Sequence, residues 1–299
     1  MNAVVLREVG GGLVLEEQPD PEGPHVVEVR AAGVNFADLL IRRGEYPQMP
    51  ELPTVLGTEV AGELNGKRVV AFCGGGGGYA ERVAVDPYWA FQLPDRASFA
   101  SGAAFLTTYL TSYITLCKQL RVWKGSTVLI HAGAGGVGSA AAQLAKSRGA
   151  TVIATASTGE KRAFARGLGV DETRPYDELD DLHVDVVLDL VGGDVFTRSL
   201  PLVNPLGTIV AVGFGAGAWQ DPSVQWLVGR NVSVMGFYLG RLLRHRPQFV
   251  RDCATELVAA WRKGDIDPVV GAEFPLAEAG AAHDLIESRR HVGKVVLLP

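Results

Sequence analysis

Apolar and polar positions alternate with a period of two residues in the first part of the chain. Segments of this kind lie at 25–34, 67–72 and 81–85, with glycine and proline between them. The pattern predicts short strands joined by brief loops, and hence a compact, barrel-like β-rich domain. From 98 to 120 the apolar spacing becomes helical. We expect the glycine run at 73–78 to be a flexible connection, because no helix follows it.

The middle of the chain alternates between near-continuous apolar strands and amphipathic helices. The predicted strands are 127–132, 151–156, 184–191, 207–214 and 231–239, and the predicted helices include 137–148 and 159–168. This alternation predicts a doubly wound parallel sheet with helices on both faces.

Two further predicted helices, 247–264 and 276–290, precede a last strand that starts at Lys294. We expect that strand to join the sheet of the first domain. The predicted fold class is therefore α/β, with residues 1–120 and 241–299 in the β-rich domain and 121–240 in the parallel-sheet domain.

Charge and cysteine content limit the classes of function. The 299-residue chain has a formal net charge of −5, which argues against nucleic acid or an anionic membrane as its main partner. Cys73, Cys117 and Cys253 are far apart, and no Cys-x-x-Cys or His-x-x-x-His spacing indicates a zinc site. The sequence has no pattern of a signal peptide or a membrane span, so we expect a cytoplasmic protein.

A glycine loop separates the strand at 127–132 from the helix at 137–148. It matches Gly-x-Gly-x-x-Gly in a strand–loop–helix–strand context, which is typical of a Rossmann-type dinucleotide site. Glycine permits the tight turn and lets a pyrophosphate approach the N–H groups at the helix N-terminus. The residues predicted to contact it are Gly133, Gly135, Gly136, Val137 and Gly138.

The strand that follows the glycine loop ends without a carboxylate. Chains that bind NAD place an acidic residue about 20 positions after the loop to bind the ribose hydroxyls. Here the tip at 156–158 reads Ala-Ser-Thr, which would not repel a 2′-phosphate and could hydrogen-bond to it. Lys161 and Arg162 fall in the first helical turn, where cations oppose the helix dipole, so we expect them to face an anion. This tip predicts NADPH as the cofactor.

Several segments together resemble the zeta-crystallin-type quinone oxidoreductases of the medium-chain dehydrogenase/reductase superfamily. They are GVNFADLLIRRGEYP, LPTVLGTEVAG, LTTYLTSY and VLIHAGAGGVGSAAAQLAK, and the closing ESRRHVGKVVLLP also fits. The resemblance covers nearly the whole chain. It implies a GroES-like catalytic domain together with a Rossmann domain.

The zinc alcohol dehydrogenases of the same superfamily provide a contrast. Where they hold zinc with Cys, His and Cys, this chain has Asn35, Thr58 and, by its position, Ala103; Glu59 remains. The resemblance therefore implies no metal site. Without a Lewis acid an alcohol is not easily deprotonated at neutral pH. We therefore expect hydride delivery to an acceptor that is already electrophilic, such as a quinone or an α,β-unsaturated carbonyl.

The resemblance also implies individual site residues. Asn35 and Tyr46 would line the substrate pocket and Thr107 would lie near the nicotinamide. Asn35 can donate to a carbonyl oxygen, and Tyr46 can donate a hydrogen bond or a proton. The further cofactor contacts are Ser157, Lys161 and Tyr176 at the 2′-phosphate, Phe214, Phe237 and Tyr238 beside the nicotinamide, and Arg289 and Lys294 near the C-terminus.

Two other polar residues are expected to be structural. His131 ends a strand just before the glycine loop and belongs to no catalytic constellation, and Asp38 is placed to cap a helix. The apolar segment 231–239 is last in the predicted sheet, and an exposed edge of this kind tends to pair with a second copy. We therefore predict a homodimer through this strand.

The leading prediction is an NADPH-dependent, zinc-free quinone oxidoreductase with a small-molecule quinone as partner. An alternative is an NADPH-dependent 2-enoyl or 2-alkenal double-bond reductase, in which Tyr46 of the sequence Gly-Glu-Tyr-Pro donates the proton. A third, from another class, is a non-catalytic NADPH-binding protein.

Overall fold

The chain divides into two units in its computed structural model, which describes residues 1–213, 215, 217 and 220–299. The first unit comprises Met1–Thr108 and Ala254–Pro299, and the second comprises Tyr109–Cys253. The predicted parallel-sheet domain, 121–240, falls inside the second unit at both ends. The predicted domain limits stay a prediction.

Each strand predicted from the sequence has a counterpart in the structure, which also contains strands outside the predicted segments. In chain order they are β1 Asn2–Leu6, β2 Leu13–Glu17, β3 Val26–Val34, β4 Thr54–Val55, β5 Glu59–Leu64, β6 Lys67–Phe72, β7 Arg82–Ala84, β8 Ala90–Gln92, β9 Thr127–Ile130, β10 Thr151–Thr155, β11 Glu172–Arg174, β12 Val184–Asp189, β13 Val203–Ala211, β14 Ser233–Gly236, β15 Val270–Pro275 and β16 Lys294–Leu298.

Each predicted helical range also has a counterpart, and the structure contains further helices outside those ranges. They are α1 Phe36–Arg43, α2 Phe99–Ala103, α3 Leu106–Tyr113, α4 Gly136–Ser147, α5 Gly159–Gly167, α6 Gly193–Ser199, α7 Val224–Arg230, α8 Leu239–His245, α9 Pro247–Lys263 and α10 Ala279–Glu287. Short 3-10 turns occur at Pro87–Trp89, Leu200–Leu202 and Leu276–Glu278, and a π-helical stretch at Ile114–Gln119. In the described part of the chain, no helix is long and apolar enough to cross a membrane.

The first unit is a β-rich domain with largely antiparallel pairing. One sheet has the order β2-β1-β4, and the other has the order β15-β16-β3-β5-β6-β8 with β7 also paired to β3. In β3, Val27 and Val29 are buried whereas Glu28 and Arg30 are exposed, which is the predicted two-residue period. Helix α10 packs on this core through Ala279, Ala282 and Ile286.

The second unit contains the predicted parallel sheet. Its strands have the order β11-β10-β9-β12-β13-β14, and every pair of neighbours is parallel. The central strand β9 buries Val128, Leu129 and Ile130 completely, as expected for a strand covered on both faces. The predicted α/β fold class, a GroES-like unit with a Rossmann-type unit, is confirmed.

Some elements differ from the prediction. The helical stretch 98–120 is interrupted after Ala103 and ends as a π-helix. The strand expected at 231–239 stops at Gly236, because Tyr238 is the N-cap of α8. Strand β13 starts earlier than expected, at Val203.

The glycine run at 73–78 is not the flexible connection that we expected. The backbone N–H of Gly77 donates to the Val55 oxygen at 2.8 Å, and that of Gly78 donates to the Gly57 oxygen at 2.9 Å. The glycine run is thus hydrogen-bonded to the backbone of the segment that leads into β5. This backbone path requires positive φ angles at Gly76 and Gly77, which glycine tolerates.

Candidate active site

Asn35 lies at the junction of β3 and α1 in the first unit. It is the N-cap of α1, with extended φ and ψ angles, and its side chain is 8% exposed. Its backbone N–H donates to Asp38 Oδ2 at 2.8 Å, so the predicted capping role of Asp38 is seen in the structure. The cap fixes the backbone from which the Asn35 side chain projects.

The Asn35 side chain belongs to a buried polar cluster with Glu59 and Lys294. Glu59 begins β5 and Lys294 begins β16, and both side chains are almost completely buried. Lys294 Nζ donates to Glu59 Oε1 at 2.7 Å and also to Asn35 Oδ1. Asn35 Nδ2 donates to Glu59 Oε1 at 2.9 Å. Because each buried charge has a partner of opposite sign, burial of this pair is tolerated.

This cluster fixes the orientation of the Asn35 amide. An ammonium group has only donors, so the atom facing Lys294 is the amide oxygen, and the atom facing the Glu59 carboxylate is the nitrogen. One N–H of Asn35 Nδ2 is used by Glu59, and the second has no partner among the described residues. Asn35 is therefore held as a hydrogen-bond donor.

Thr107 approaches the same carboxylate from α3. Its backbone N–H donates to Glu59 Oε2 at 2.9 Å. Its Oγ1 is out of contact with solvent and has no hydrogen-bond partner among the described residues. Because a buried hydroxyl without a partner costs free energy, this atom has the property expected of a ligand contact. The structure thus brings Asn35 and Thr107 together on Glu59.

Gly33 leaves room for the Glu59 side chain. A Cβ atom at Gly33 would lie 2.3 Å from the Ala103 carbonyl oxygen and 2.9 Å from Glu59 Oε1. Any larger residue at this position would therefore displace the carboxylate on which Asn35 and Thr107 are held.

Tyr46 lies in the loop that follows α1. The helix ends at Gly44, which has the left-handed conformation that favours glycine. The ring of Tyr46 is half-buried and packs against the core of the first unit. Its predicted position in the substrate pocket stays a prediction.

The glycine loop of the second unit has the close packing that a dinucleotide site needs. A Cβ atom at Gly133 would lie 2.6 Å from Ala154 Cβ, and one at Gly138 would lie 2.3 Å from the Ala132 oxygen. Gly135 is the N-cap of α4, so the N–H groups of its first turn have no partner within the helix. These observations fit a pyrophosphate at this end of α4.

Tyr176 and His131 support the start of this loop. The Tyr176 hydroxyl accepts from the Ala132 N–H at 3.2 Å. His131 is fully buried and contacts Thr155 Oγ1 at 2.8 Å and Ser199 Oγ at 2.7 Å. Burial lowers the pKa of His131 to about 3, so the ring is neutral near pH 7. His131 has structural contacts, as predicted.

The tip of β10 is arranged as the start of a helix. Thr158 is the N-cap of α5, and its Oγ1 accepts from the Lys161 N–H at 3.2 Å. Ser157 is exposed beside it, and Lys161 is half-buried, with a pKa lowered by burial. Arg162 donates to the Ala156 carbonyl at 3.1 Å, so one of its guanidinium N–H groups is engaged by the end of β10.

The other predicted cofactor contacts are distributed over both units. Phe237 is buried, and its N–H continues the pairing of the sheet by donating to the Ala211 oxygen at 3.0 Å; Tyr238 is half-buried. Arg289 is exposed at the end of α10. Phe214 lies outside the described residues. Lys294 is buried on Asn35 and Glu59, and its predicted contact with the cofactor stays a prediction.

Sequence reasoning missed a buried chain of polar residues under α1. It consists of Asp38, Tyr79 and His283, each with no exposed surface. The sequence indicates only a cap at Asp38 and no role for His283, because it contains no signal for contacts over such separations. Sequence reasoning also missed that Lys294 pairs with Glu59, because nothing in the sequence distinguishes this lysine from Lys67, which opens β6 and is exposed.

The donor set of a catalytic metal is not present in the described residues. Across 1–213, 215, 217 and 220–299, no cluster of three or more His, Cys, Asp or Glu side chains could hold a metal ion. The positions at which the resemblance implies zinc ligands in the alcohol dehydrogenases hold Asn35, Thr58 and Ala103 in this chain.

Comparisons with known proteins place this arrangement in a family. Residues 21–95 match the alcohol dehydrogenase GroES-like domain family, and residues 168–297 match the zinc-binding dehydrogenase family. A quinone oxidoreductase of Pseudomonas aeruginosa is 35% identical, with 97% of each chain covered. The chain belongs to the quinone oxidoreductase family. This confirms the predicted zeta-crystallin-type resemblance within the medium-chain dehydrogenase/reductase superfamily.

Solved structures of this family extend the comparison to the cofactor. The quinone oxidoreductase of Thermus thermophilus, solved also as its complex with NADPH, is 37% identical with a TM-score of 0.92 over all of both chains. A mycobacterial protein complexed with NADPH is 33% identical with a TM-score of 0.91 over all of both chains. The protein described here is thus an NADPH-dependent oxidoreductase, as predicted, and its glycine loop fits that cofactor.

Proposed function

We propose that this protein reduces quinones with NADPH, and that Asn35 binds the acceptor oxygen. The observation that supports this proposal is the orientation of the Asn35 amide. Lys294 holds its oxygen and Glu59 holds one of its N–H groups, so that the second N–H is available to an acceptor carbonyl. A fixed donor is the group that a developing oxyanion requires.

In this proposal, Asn35, Lys294 and Thr107 have different roles in the reaction. NADPH, when bound, supplies the hydride. Asn35 orients the quinone oxygen and stabilises the negative charge that develops on it, and the nearby Lys294 ammonium increases the polarity of the amide. Thr107 Oγ1, buried without a partner among the described residues, is available to the cofactor amide. One hydride and one proton convert the quinone to the quinol, and we propose that the proton comes from solvent.

Replacement of Asn35 by leucine tests this proposal. Asn35→Leu keeps the approximate volume but removes both amide donors. We expect the kcat for quinone reduction to fall by about 10²-fold, the typical effect of removing one such donor. The dissociation constant for NADPH, measured by nucleotide fluorescence, is expected to stay within a few-fold. An unchanged kcat would contradict the role of Asn35.

The 2-enoyl or 2-alkenal reductase remains the second candidate function, supported by the half-buried Tyr46 beyond α1. An enone needs a proton donor at carbon, whereas a quinone oxygen is protonated readily by water. Assays of Tyr46→Phe with both acceptors separate the two functions. Loss of enone turnover with retained quinone turnover assigns a proton-donor role to Tyr46. Wild-type protein that binds NADPH but turns over neither acceptor would instead support the non-catalytic NADPH-binding alternative.

We also propose a set of cofactor contacts and a homodimeric assembly. Ser157, Lys161 and Tyr176 are proposed to bind the 2′-phosphate, with Ser157 exposed at the tip of β10 and Tyr176 bonded beside the glycine loop. We propose a homodimer through β14, which ends the described strand order. The cytoplasmic location also stays a prediction.

A further inference from the structure

A buried chain of hydrogen bonds lies beneath the acceptor-binding asparagine. Tyr79 Oη donates to Asp38 Oδ2 at 3.0 Å and lies 3.2 Å from His283 Nε2. The same oxygen of Asp38 accepts the Asn35 backbone N–H at 2.8 Å. The chain therefore connects α10, which carries His283, to the first residue of the α1 cap.

The hydrogen positions in this chain follow from the number of donors. A tyrosine hydroxyl has one hydrogen, and Tyr79 uses it on the Asp38 carboxylate. His283 must then donate from Nε2 to the Tyr79 oxygen, which leaves Nδ1 as the bare nitrogen. Burial lowers the pKa of His283 to about 4, in agreement with a neutral ring. The hydroxyl of Tyr79 thus has both a donor and an acceptor partner.

Tyr79 also touches the segment that carries Glu59. Its ring lies against Gly57, where a Cβ atom would come within 2.4 Å of Tyr79 Cδ1. The Tyr79 N–H donates to the Leu56 oxygen at 2.9 Å. Gly57 precedes Glu59 by two residues, and Glu59 is the carboxylate on which Asn35 and Thr107 are held. One side chain is thus in contact with both segments of the acceptor site.

We propose that Asp38 and Tyr79 are positioning residues, which hold the α1 cap and the segment 57–59 in a fixed relation so that the second amide N–H of Asn35 meets the acceptor oxygen. This inference rests on the proposed function of Asn35. Neither side chain touches the acceptor. Asp38 acts through the Asn35 backbone, and Tyr79 acts through Asp38 and Gly57. The buried Tyr79 hydroxyl thereby affects the reaction without touching the acceptor.

The variant Tyr79→Phe tests this inference, because it removes one oxygen and keeps the ring on Gly57. Displacement of a reacting group by about 1 Å can lower the rate by about 10²-fold. We expect a smaller shift of Asn35 in this variant. The kcat should therefore fall by about tenfold. The KM for NADPH is expected to stay unchanged. Asp38→Asn, which retains one acceptor oxygen at this position, should preserve more activity than Asp38→Leu.

Tyr109→Phe is the matched control. Tyr109 is buried like Tyr79, and its hydroxyl donates to Gln143 Oε1 at 3.1 Å in the second unit. The two variants thus lose the same atom, the hydroxyl oxygen of a buried tyrosine that donates a side-chain hydrogen bond. Equal losses of kcat in the two variants, or a loss in Tyr79→Phe that only follows the decrease in Tm, would overturn the positioning role.

A second measurement does not depend on turnover. In protein labelled with 15N-asparagine, the Asn35 side-chain signals can be assigned from their disappearance in Asn35→Leu. We expect these signals to shift in Tyr79→Phe and to stay in place in Tyr109→Phe. If wild-type protein reduces no acceptor, the proposed function fails, and this spectrum still decides on the positioning: unmoved Asn35 signals in Tyr79→Phe would overturn it.

Discussion

At the residue scale, the candidate active site is defined by which buried polar groups have hydrogen-bond partners. Asn35 has its oxygen and one N–H engaged, and Thr107 Oγ1 has no partner among the described residues. Both positions were predicted from the resemblance to the family. Their supports, Glu59 and Lys294, are separated by 235 positions in sequence, so only the pairing of β16 with β3 and of β3 with β5 brings them together.

The titration of Asp38 gives a prediction for stability. Burial raises the pKa of Asp38 from 3.8 to about 6, against the opposing effects of its hydrogen bonds and of Lys294. Between these two pH values the folded chain binds more protons at this site than the unfolded chain. The contribution of Asp38 to folding is therefore most favourable below pH 4 and is lost as the pH rises through about 6.

Asp38→Asn removes this titration and keeps an acceptor oxygen. We expect the stability of wild-type protein, relative to Asp38→Asn, to decrease between pH 5 and pH 7. Urea unfolding of both proteins at each pH measures the difference. His131, whose lowered pKa makes acid destabilising, is common to both proteins and cancels in the comparison. A relative stability that increases with pH would contradict the burial argument.

At the element scale, regular segments were predicted well and their interruptions were not. Strand β6 and helix α9 lie within one residue of the predicted limits, because a strong apolar period marks both. The break in the stretch 98–120 and its π-helical end have no such signal. The glycine run at 73–78 was misjudged, because its partners at Val55 and Gly57 become apparent only when the chain is folded.

The contact between α4 and the loop before it gives the second prediction. A Cβ atom at Gly138 would meet two backbone atoms, the Ala132 oxygen at 2.3 Å and the Gly133 Cα at 2.7 Å, which cannot rotate away. Gly138→Ala should therefore push α4 away from the loop, weaken NADPH binding at least tenfold and lower the free energy of unfolding by about 1–3 kcal/mol. Nucleotide titration and urea unfolding measure the two effects.

Gly280→Ala provides the matched control in a second helix. Gly280 lies in α10, and a Cβ atom there would meet nothing within 4 Å. The same substitution should stabilise the protein by up to about 1 kcal/mol, since alanine is the better helix former. NADPH binding should be unchanged. Equal effects of the two substitutions would show that the close contact at Gly138 has no importance for the cofactor.

At the scale of the whole molecule, one end of the parallel sheet has the surface expected of an interface. Strand β14 ends the described strand order, with β13 on one side. Helix α7 directly precedes it and exposes Val224 and Val228, at 73% and 72%, on one helical face. Leu206, which is 87% exposed, bonds through its N–H to the Asn231 oxygen at the end of α7. Apolar side chains next to a strand edge favour pairing with a second copy.

The predicted homodimer is tested by changing this surface. Light scattering at micromolar concentration should give twice the 31.8 kDa mass of the chain. The double variant Val224→Lys, Val228→Lys brings like charges together across a two-fold axis and should shift the mass to that of the monomer. Val14→Lys, at a 48% exposed valine of β2 in the first unit, is the matched control and should stay dimeric. A monomeric wild-type chain would refute the prediction, and a dimeric double variant would place the interface on another surface.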